Sequence, residues 1–162
     1  MIFTHNQTKI INFSIDKIYN IIADVPSYKE FIKWIKDINE LPITNTDSLN
    51  NSNSLTIKNY KITVGFGFLE ESFTTKDIFI KNQSIKIELI EGAFKTLNSV
   101  WNFKEIEKNK TEVSFLMDFS FKSIFIEKMF SQFFLLANEK ITDAFIKRAE
   151  DLYGKNNLIK KI

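Results

Sequence analysis

Few residues in this chain are equipped to do chemistry. His5 is the only histidine and there is no cysteine among the 162 residues. A Ser–His–Asp triad or a multi-His metal site therefore cannot be built within one chain. Disulfides, thiolate nucleophiles and Cys metal sites are excluded outright. This removes most common hydrolase and metalloenzyme mechanisms. Glu70 and Glu71 follow a glycine-containing bend, and paired carboxylates can act as general acid and base. Nothing in the sequence positions a partner for them, and a solvated turn is the favoured account. Arg148 is the sole arginine, on the apolar side of the last predicted helix. An ion pair with Glu150 or Asp151, or a stem packed on other elements, competes there with a polar contact to a ligand. Asp24, Pro26 and Tyr28 fall at a break between two predicted helices. No acid–base or metal-ligating constellation emerges, so the expectation is a protein that is not an enzyme and carries no metal.

The chain fits one domain by length. Its 44% hydrophobic and 26% charged residues are ordinary for a globular protein, and a net charge of +2 gives no global field for nucleic acid. The unusual figure is 17 Phe. Together with abundant Asn, Lys and Ile it fits an AT-rich genome; it also fits an interior meant for a greasy ligand, and composition leaves both open. Met1–Ser14 lacks a basic start followed by a sustained apolar run. The longest uncharged run of the last helix, Met129–Asn138, is far short of the ~20 residues that cross a bilayer. The expected location is intracellular.

The elements that must position these residues follow from periodicity. Thr8–Phe13 is a short β-like run. Ser14 is an N-cap with Asp16 in the first turn, opening a helix over Ile15–Ala23 with Ile15, Ile18, Ile22 and Val25 on one stripe. Pro26 then introduces a second short helix, about Ser27–Ile35. Lys36–Thr46 reads as a strand ending in the polar loop Asn45–Ser54. Tyr60, Ile62, Val64, Phe66 and Phe68 share one face of a strand, whereas Leu55 and Ile57 have the opposite parity; a bulge near Lys58–Asn59 would reconcile them. Ser72–Ile80, the Ile85/Ile87/Leu89 alternation, the Trp101/Phe103 alternation and the Val113–Phe121 alternation complete five or six strands joined by short polar turns, which favours an antiparallel sheet.

Ser123–Tyr153 contains neither Gly nor Pro. Ser123 is the predicted N-cap, Glu127 lies in the first turn and Gly154 follows. An apolar stripe runs through Phe125, Met129, Phe133, Leu136/Ala137, Ile141, Ala144/Phe145, Ala149 and Leu152. Such a helix is roughly 45 Å long, and it is the element able to cover the apolar face of the sheet. The predicted fold is α+β: a curved antiparallel sheet wrapped round a long C-terminal helix, a helix-grip arrangement that leaves space at one end. Between Ile124 and Ala137, Phe130, Phe134 and Leu135 exceed the ~100° apolar stripe a covering helix needs. Packing on the short helices, a second subunit or a membrane surface could take up that surplus, and the reading chosen is reversible membrane association.

Four stretches, IYNIIADVPSYKEFIKWIKD (Ile18–Asp37), VGFGFLEESFTTKD (Val64–Asp77), EGAFKTLNSVWNFKEI (Glu91–Ile106) and VSFLMDFSFKS with AFIKRAEDLYG (Val113–Ser123, Ala144–Gly154), occur in that order. Together they resemble the coenzyme Q-binding COQ10/START-like family, which includes bacterial RatA-type proteins and proteins called oligoketide or polyketide cyclases. The resemblance implies a START/SRPBCC-like domain over residues 1–154, with 155–162 a basic tail carrying Lys155, Lys160 and Lys161. It also implies a hydrophobic cavity for a lipid-like ligand, with ubiquinone the usual candidate, and no further cofactor. One departure is that Trp34 is followed by Ile35 and Lys36, where the family often has a cysteine soon after this tryptophan.

On that basis the expected ligand-binding residues are Phe66, Phe73, Ile87, Trp101, Phe115, Met117, Phe119, Met129, Phe133 and Ala137. Pro26, Tyr28, Phe130 and Phe134 are expected at the cavity mouth. For each, ordinary core packing is the competing role; Met117 and Met129 suit a variable ligand because Met adapts its shape. Three functions follow in order: a non-enzymatic quinone-binding protein supporting respiration or quinone biosynthesis, a RatA-type protein that binds the ribosome and blocks subunit association, and a polyketide cyclase-like enzyme. The expected partners are an isoprenoid quinone, with peripheral contact at the inner membrane and the ribosome as further candidates, and the protein is either a monomer or a homodimer.

Overall fold

The computed structural model describes residues 1–43 and 55–154. The predicted loop Asn45–Ser54 and the basic tail lie outside the described residues. Seven strands form one antiparallel sheet: β1 (Phe3–Ile11), β2 (Ile35–Leu41), β3 (Leu55–Phe66), β4 (Leu69–Ile80), β5 (Ser84–Gly92), β6 (Phe94–Glu107) and β7 (Lys110–Phe121). Their spatial order is β1-β7-β6-β5-β4-β3-β2, so every connection from β2 to β7 is to a neighbour and only β1 is paired out of sequence. Helix α1 (Ile15–Ala23) and a 3₁₀ turn (Val25–Glu30) bridge from β1 to β2, at opposite edges of the sheet, and α2 (Ile124–Tyr153) follows β7.

Several local readings hold. Ser14 caps α1 by accepting from the Lys17 amide, and Ser123 caps α2 by accepting from the Ile126 amide at 3.1 Å. Gly154 ends α2 with φ +82°, a conformation that suits glycine.

The six strands that follow the short helices match the upper end of the predicted five or six, and β1 makes seven. Other readings are corrected. β1 starts at Phe3 rather than Thr8, because the residues alternating inward on it include His5, Gln7 and Lys9, a pattern tolerated on an edge strand that hides it from a hydrophobicity reading. The second helix is only the 3₁₀ turn: the amide of Phe31 reaches back to the Tyr28 carbonyl, and the Trp34 carbonyl is already taken by the Gly65 amide of β3. Sheet pairing at Ile35↔Val64 thus ends the helical segment before Ile35. β3 has no bulge near Lys58–Asn59; its pairing with β4 is unbroken from Leu55↔Ile80 to Phe66↔Leu69. Irregularities sit instead in β2 between Ile35 and Asp37, between β4 and β5 at Thr74/Thr75, and in β6 at Phe94/Thr96 and Glu105/Glu107.

The buried side of α2 is Phe130, Phe134, Ala137, Asn138, Thr142, Phe145 and Ala149. In the first half of the helix this is rotated from the predicted stripe, so that Phe125 and Leu136 are exposed, as is Leu152 near the end. Aromatic packing sets the phase: Phe134 meets Phe94 with ring centroids 5.1 Å apart and Phe119 at 5.9 Å. Phe130 (3% exposed) and Phe134 (6%) are therefore core residues and Leu135 is partly buried against the same cluster. These three side chains cannot together form the predicted membrane lip. Phe130 and Phe134 meet the rings of β6 and β7 rather than the short helices that were the plainest of the sequence readings.

Two packed clusters result. One gathers around Phe94, Phe119, Phe121, Phe130 and Phe134. The other joins α1, the 3₁₀ turn and the far half of α2 to Trp101, Phe103, Val113 and Phe115.

Candidate functional site

Between these clusters, under the middle of α2, the sheet and helix line a partly open cavity of about 130 Å³. A single water needs ~10–15 Å³ on such a measure, so the space suits a ring-sized group and not a long chain. Its floor is set by register. Asp77 on β4 lies opposite Ile87 on β5, Ile87 opposite Ser99 on β6, and Ser99 opposite Met117 on β7, so one row of side chains crosses four strands. Residues directly opposite each other in antiparallel pairs point to the same face. Phe73, Thr75, Val64 and Ile62 extend this floor, and Phe134, Ala137, Asn138, Ile141 and Phe145 form the roof. Trp101 stacks on Phe115 with centroids 4.2 Å apart and meets Phe145 edge-on at 5.4 Å. These ring contacts fix one wall. At the 3₁₀ turn, the Tyr28 hydroxyl donates to the Ile22 carbonyl and its ring packs edge-on against Phe145.

The cavity is largely apolar, but it is not featureless. Asp77 is 1% exposed, and Thr75 donates to its Oδ1 at 2.7 Å. Burial pushes the Asp77 carboxyl up to about 7, with the Thr75 hydrogen bond opposing. Burial, then the charges of Asp77, Tyr60 and Asp24, raise Tyr28 well above the usual phenol range, and burial first, then Glu40 and other carboxylates, raises Tyr60 likewise. Both phenols are neutral at physiological pH. Ser99 and Asn138 also face the cavity, and the Asn138 Nδ2 is buried with no hydrogen-bond partner.

A second depression of about 300 Å³ lies outside, lined by Lys33, Trp34, Lys36, Gly65, Phe66, Gly67, Phe133, Leu136, Ala137 and Lys140. Trp34 and Ala137 line both spaces, so they form the partition between the inner cavity and this groove.

Of the residues expected to contact ligand, Phe73, Ile87, Trp101, Phe115, Met117 and Ala137 line the inner cavity, joined by Tyr28 and Phe134 from the expected mouth. Phe66 and Phe133 line the outer groove instead, with ring centroids 5.5 Å apart. Phe119, Met129 and Phe130 belong to the separate packed cluster. Pro26 is exposed in the 3₁₀ turn, where it occupies the first positions. Glu70 and Glu71 are strand residues paired with Gly65 and Val64, and line neither space. Arg148 does not pair with its own helix: its guanidinium lies 3.4 Å from Glu30 and 5.0 Å from the Phe31 ring centre, clamping α2 to the 3₁₀ turn.

Thr75, Asp77, Ser99 and Asn138 were not singled out from sequence. The signal was present: each shares the period of an apolar face, in Phe73-x-Thr75-x-Asp77-x-Phe79, in Leu97-x-Ser99-x-Trp101, and four residues after Phe134. Among the described residues no group of three His, Cys, Asp or Glu is placed to hold a metal ion, and no helix is long and apolar enough to cross a membrane.

Comparison with known proteins agrees with this architecture. Residues 11–146 match the family model described as polyketide cyclase/dehydrase and lipid transport. The ribosome association toxin RatA of Pseudomonas aeruginosa is 27% identical over 152 residues, 93% of this chain and 99% of that protein. The mitochondrial coenzyme Q-binding protein COQ10 of Dictyostelium discoideum is 26% identical over 162 residues, 99% of this chain and 75% of that protein. An 18 kDa protein of Caulobacter crescentus solved in solution superposes with a TM-score of 0.73 at 29% identity, covering 94% of this chain and 99% of that one. An aromatase/cyclase from Streptomyces superposes with a TM-score of 0.76 at 11% identity over 93% of this chain and 94% of that one, a likeness of fold alone. The chain belongs to the polyketide cyclase/dehydrase and lipid transport family, with the START-like helix-grip fold.

Proposed function

We propose that this protein binds an isoprenoid quinone or a similar lipid, without catalysing a reaction on it, by holding the ring in the cavity under α2. The observation that carries this reading is the cavity itself: a ring-sized, mostly apolar space in a chain similar to coenzyme Q-binding proteins along almost its whole length. The tail would leave past Trp34 and Ala137 into the outer groove, whose floor is Phe66, Phe133 and Leu136. That groove is rimmed by Lys33, Lys36 and Lys140, a composition suited to loading from an anionic bilayer.

The test is direct. Organic extracts of the protein purified from a quinone-producing host should contain stoichiometric quinone by mass spectrometry. Both tryptophans of the chain line the cavity, so a short-tailed benzoquinone should quench intrinsic fluorescence saturably. Ala137→Leu, which fills the partition, should weaken that binding about tenfold or more while the thermal transition stays cooperative. Absence of quinone from extracts together with no saturable quenching overturns the proposal. A second reading is favoured by the end-to-end match to RatA, which covers 99% of that protein: association with the ribosome. Co-sedimentation with ribosomal particles in a sucrose gradient would support it.

A further inference from the structure

Three elements each place a polar residue in phase with their apolar face, and these residues meet at the same cavity. β4 brings Thr75 and Asp77, β6 brings Ser99, and α2 brings Asn138. All four are at least nine-tenths buried: Thr75 is 0% exposed, Asp77 1%, Ser99 7% and Asn138 7%. An ordinary core has no use for them, because a buried donor without a partner forfeits its hydration and gains nothing in return. Asn138 is in that position, its Nδ2 buried and unpartnered. Asp77 is held on one oxygen only in this cluster, Thr75 Oγ1 donating to Oδ1, which leaves Oδ2.

We infer that Asp77, Ser99 and Asn138, with Thr75 fixing Asp77, form a seat for the oxygen atoms of the bound ring. The ligand class is an otherwise apolar ring carrying carbonyl or hydroxyl oxygens. This rests on the reading of the cavity as a ligand site and adds which end of the ligand enters and what recognises it. Asn138 and Ser99 supply hydrogen-bond donors on the roof and floor. Asp77 supplies a donor when protonated, matching a carbonyl, and an acceptor when ionised, matching a hydroxyl. The oxidised ring is thus favoured at lower pH and the hydroxyl-bearing ring at higher pH.

The other groups near Asp77 do not duplicate this behaviour. Tyr28 from the 3₁₀ turn and Tyr60 from β3 stay neutral across the range, because burial raises both. Lys58, opposite Asp77 on β3, is paired with Glu40 of β2 at 3.6 Å. Asp24 lies at the end of α1, before the 3₁₀ turn. His5 occupies the same row but on β1, four strands away, about 19 Å by strand spacing.

The test compares two probes of like shape, tetramethyl-1,4-benzoquinone and 1,2,4,5-tetramethylbenzene, by calorimetry at pH 5.5 and 8.5. Wild type should prefer the quinone by at least about tenfold at pH 5.5, and by less at pH 8.5. Asn138→Leu should reduce the preference while retaining or improving hydrocarbon binding. Asp77→Asn should leave a preference that no longer changes with pH. If both probes bind wild type and neither substitution alters the quinone-to-hydrocarbon ratio or its pH dependence, the seat is refuted while the cavity reading survives. If neither probe binds wild type, the cavity reading falls and the seat with it. Should Asn138→Leu fail to fold, the pH profile of Asp77→Asn decides.

Discussion

Asp77 shows how one buried carboxyl couples a site to the stability of the whole chain. Its folded-state value is about 7, against 3.8 for the ordinary side chain. Between those values the unfolded chain has released the proton and the folded chain keeps it. The folded state therefore binds more protons, and stability falls as pH rises through that window. The contribution is fully present below about pH 4 and lost above about pH 7, with an upper magnitude of about 4 kcal/mol. Asp77→Asn, which cannot ionise, should accordingly lose this decline: urea denaturation at pH 4.5 and 8 should show the variant gaining on wild type at the higher pH. A constant difference between the two proteins across that range would refute it. The residue was hidden in the sequence for a physical reason. A lone Asp in a strand has solvent as its default environment, and only its parity with Phe73 and Phe79 marks it as inward. Trp101, Phe115 and Met117, by contrast, were legible as inward-facing because hydrophobicity and parity agree there.

At the scale of elements, period and capping carried most of the architecture. The bounds of α1 and the capping of α2 by Ser123 were both legible, because each depends on residues close in sequence. What failed depended on distant partners: the edge strand β1, the arrest of the second helix by pairing with β3, and the rotation of α2 onto the rings of Phe94 and Phe119. The β4–β5 irregularity belongs to the same class. Gly92 has φ +137°, and a Cβ there would lie 2.6 Å from the Phe73 Cβ and 2.7 Å from its Cα. No rotamer change relieves a clash with backbone, and Phe73 lines the cavity. Gly92→Ala should therefore cost about 2 kcal/mol or more and disturb ligand binding as well. An equilibrium denaturation midpoint equal to wild type would show that the strand can shift without penalty.

At the scale of the whole molecule, the sheet order puts β1 and β2 at opposite edges, and α2 packs against α1, β1 and β7. The outer groove sits at the end where the β3–β4 turn projects. Phe66 is 65% exposed and Phe68 fully exposed on that turn, which Gly67 makes with φ +62°. Leu136 is exposed on the adjoining surface of α2, and Lys33, Lys36 and Lys140 line the same groove. Two exposed phenylalanines at the tip of a turn are poorly suited to water, and burying each in a bilayer contributes about 1.5–3 kcal/mol. Each nearby lysine adds about 1 kcal/mol on an anionic surface, and that part weakens as salt screens it. The expected result is binding to vesicles containing anionic phospholipid that is weaker on neutral vesicles and at high salt. The double variant Phe66→Ser/Phe68→Ser should bind at least about tenfold more weakly, since losing even 1.4 kcal/mol is tenfold. Both side chains are solvent-exposed, so its stability should stay within about 0.5 kcal/mol of wild type. Phe66 and Phe68, which the fold leaves outside, thus replace Phe130, Phe134 and Leu135 as the residues on which membrane binding is to be tested. Vesicle co-sedimentation unchanged by the double substitution would place loading elsewhere, and would leave the cavity without an entry route through this groove.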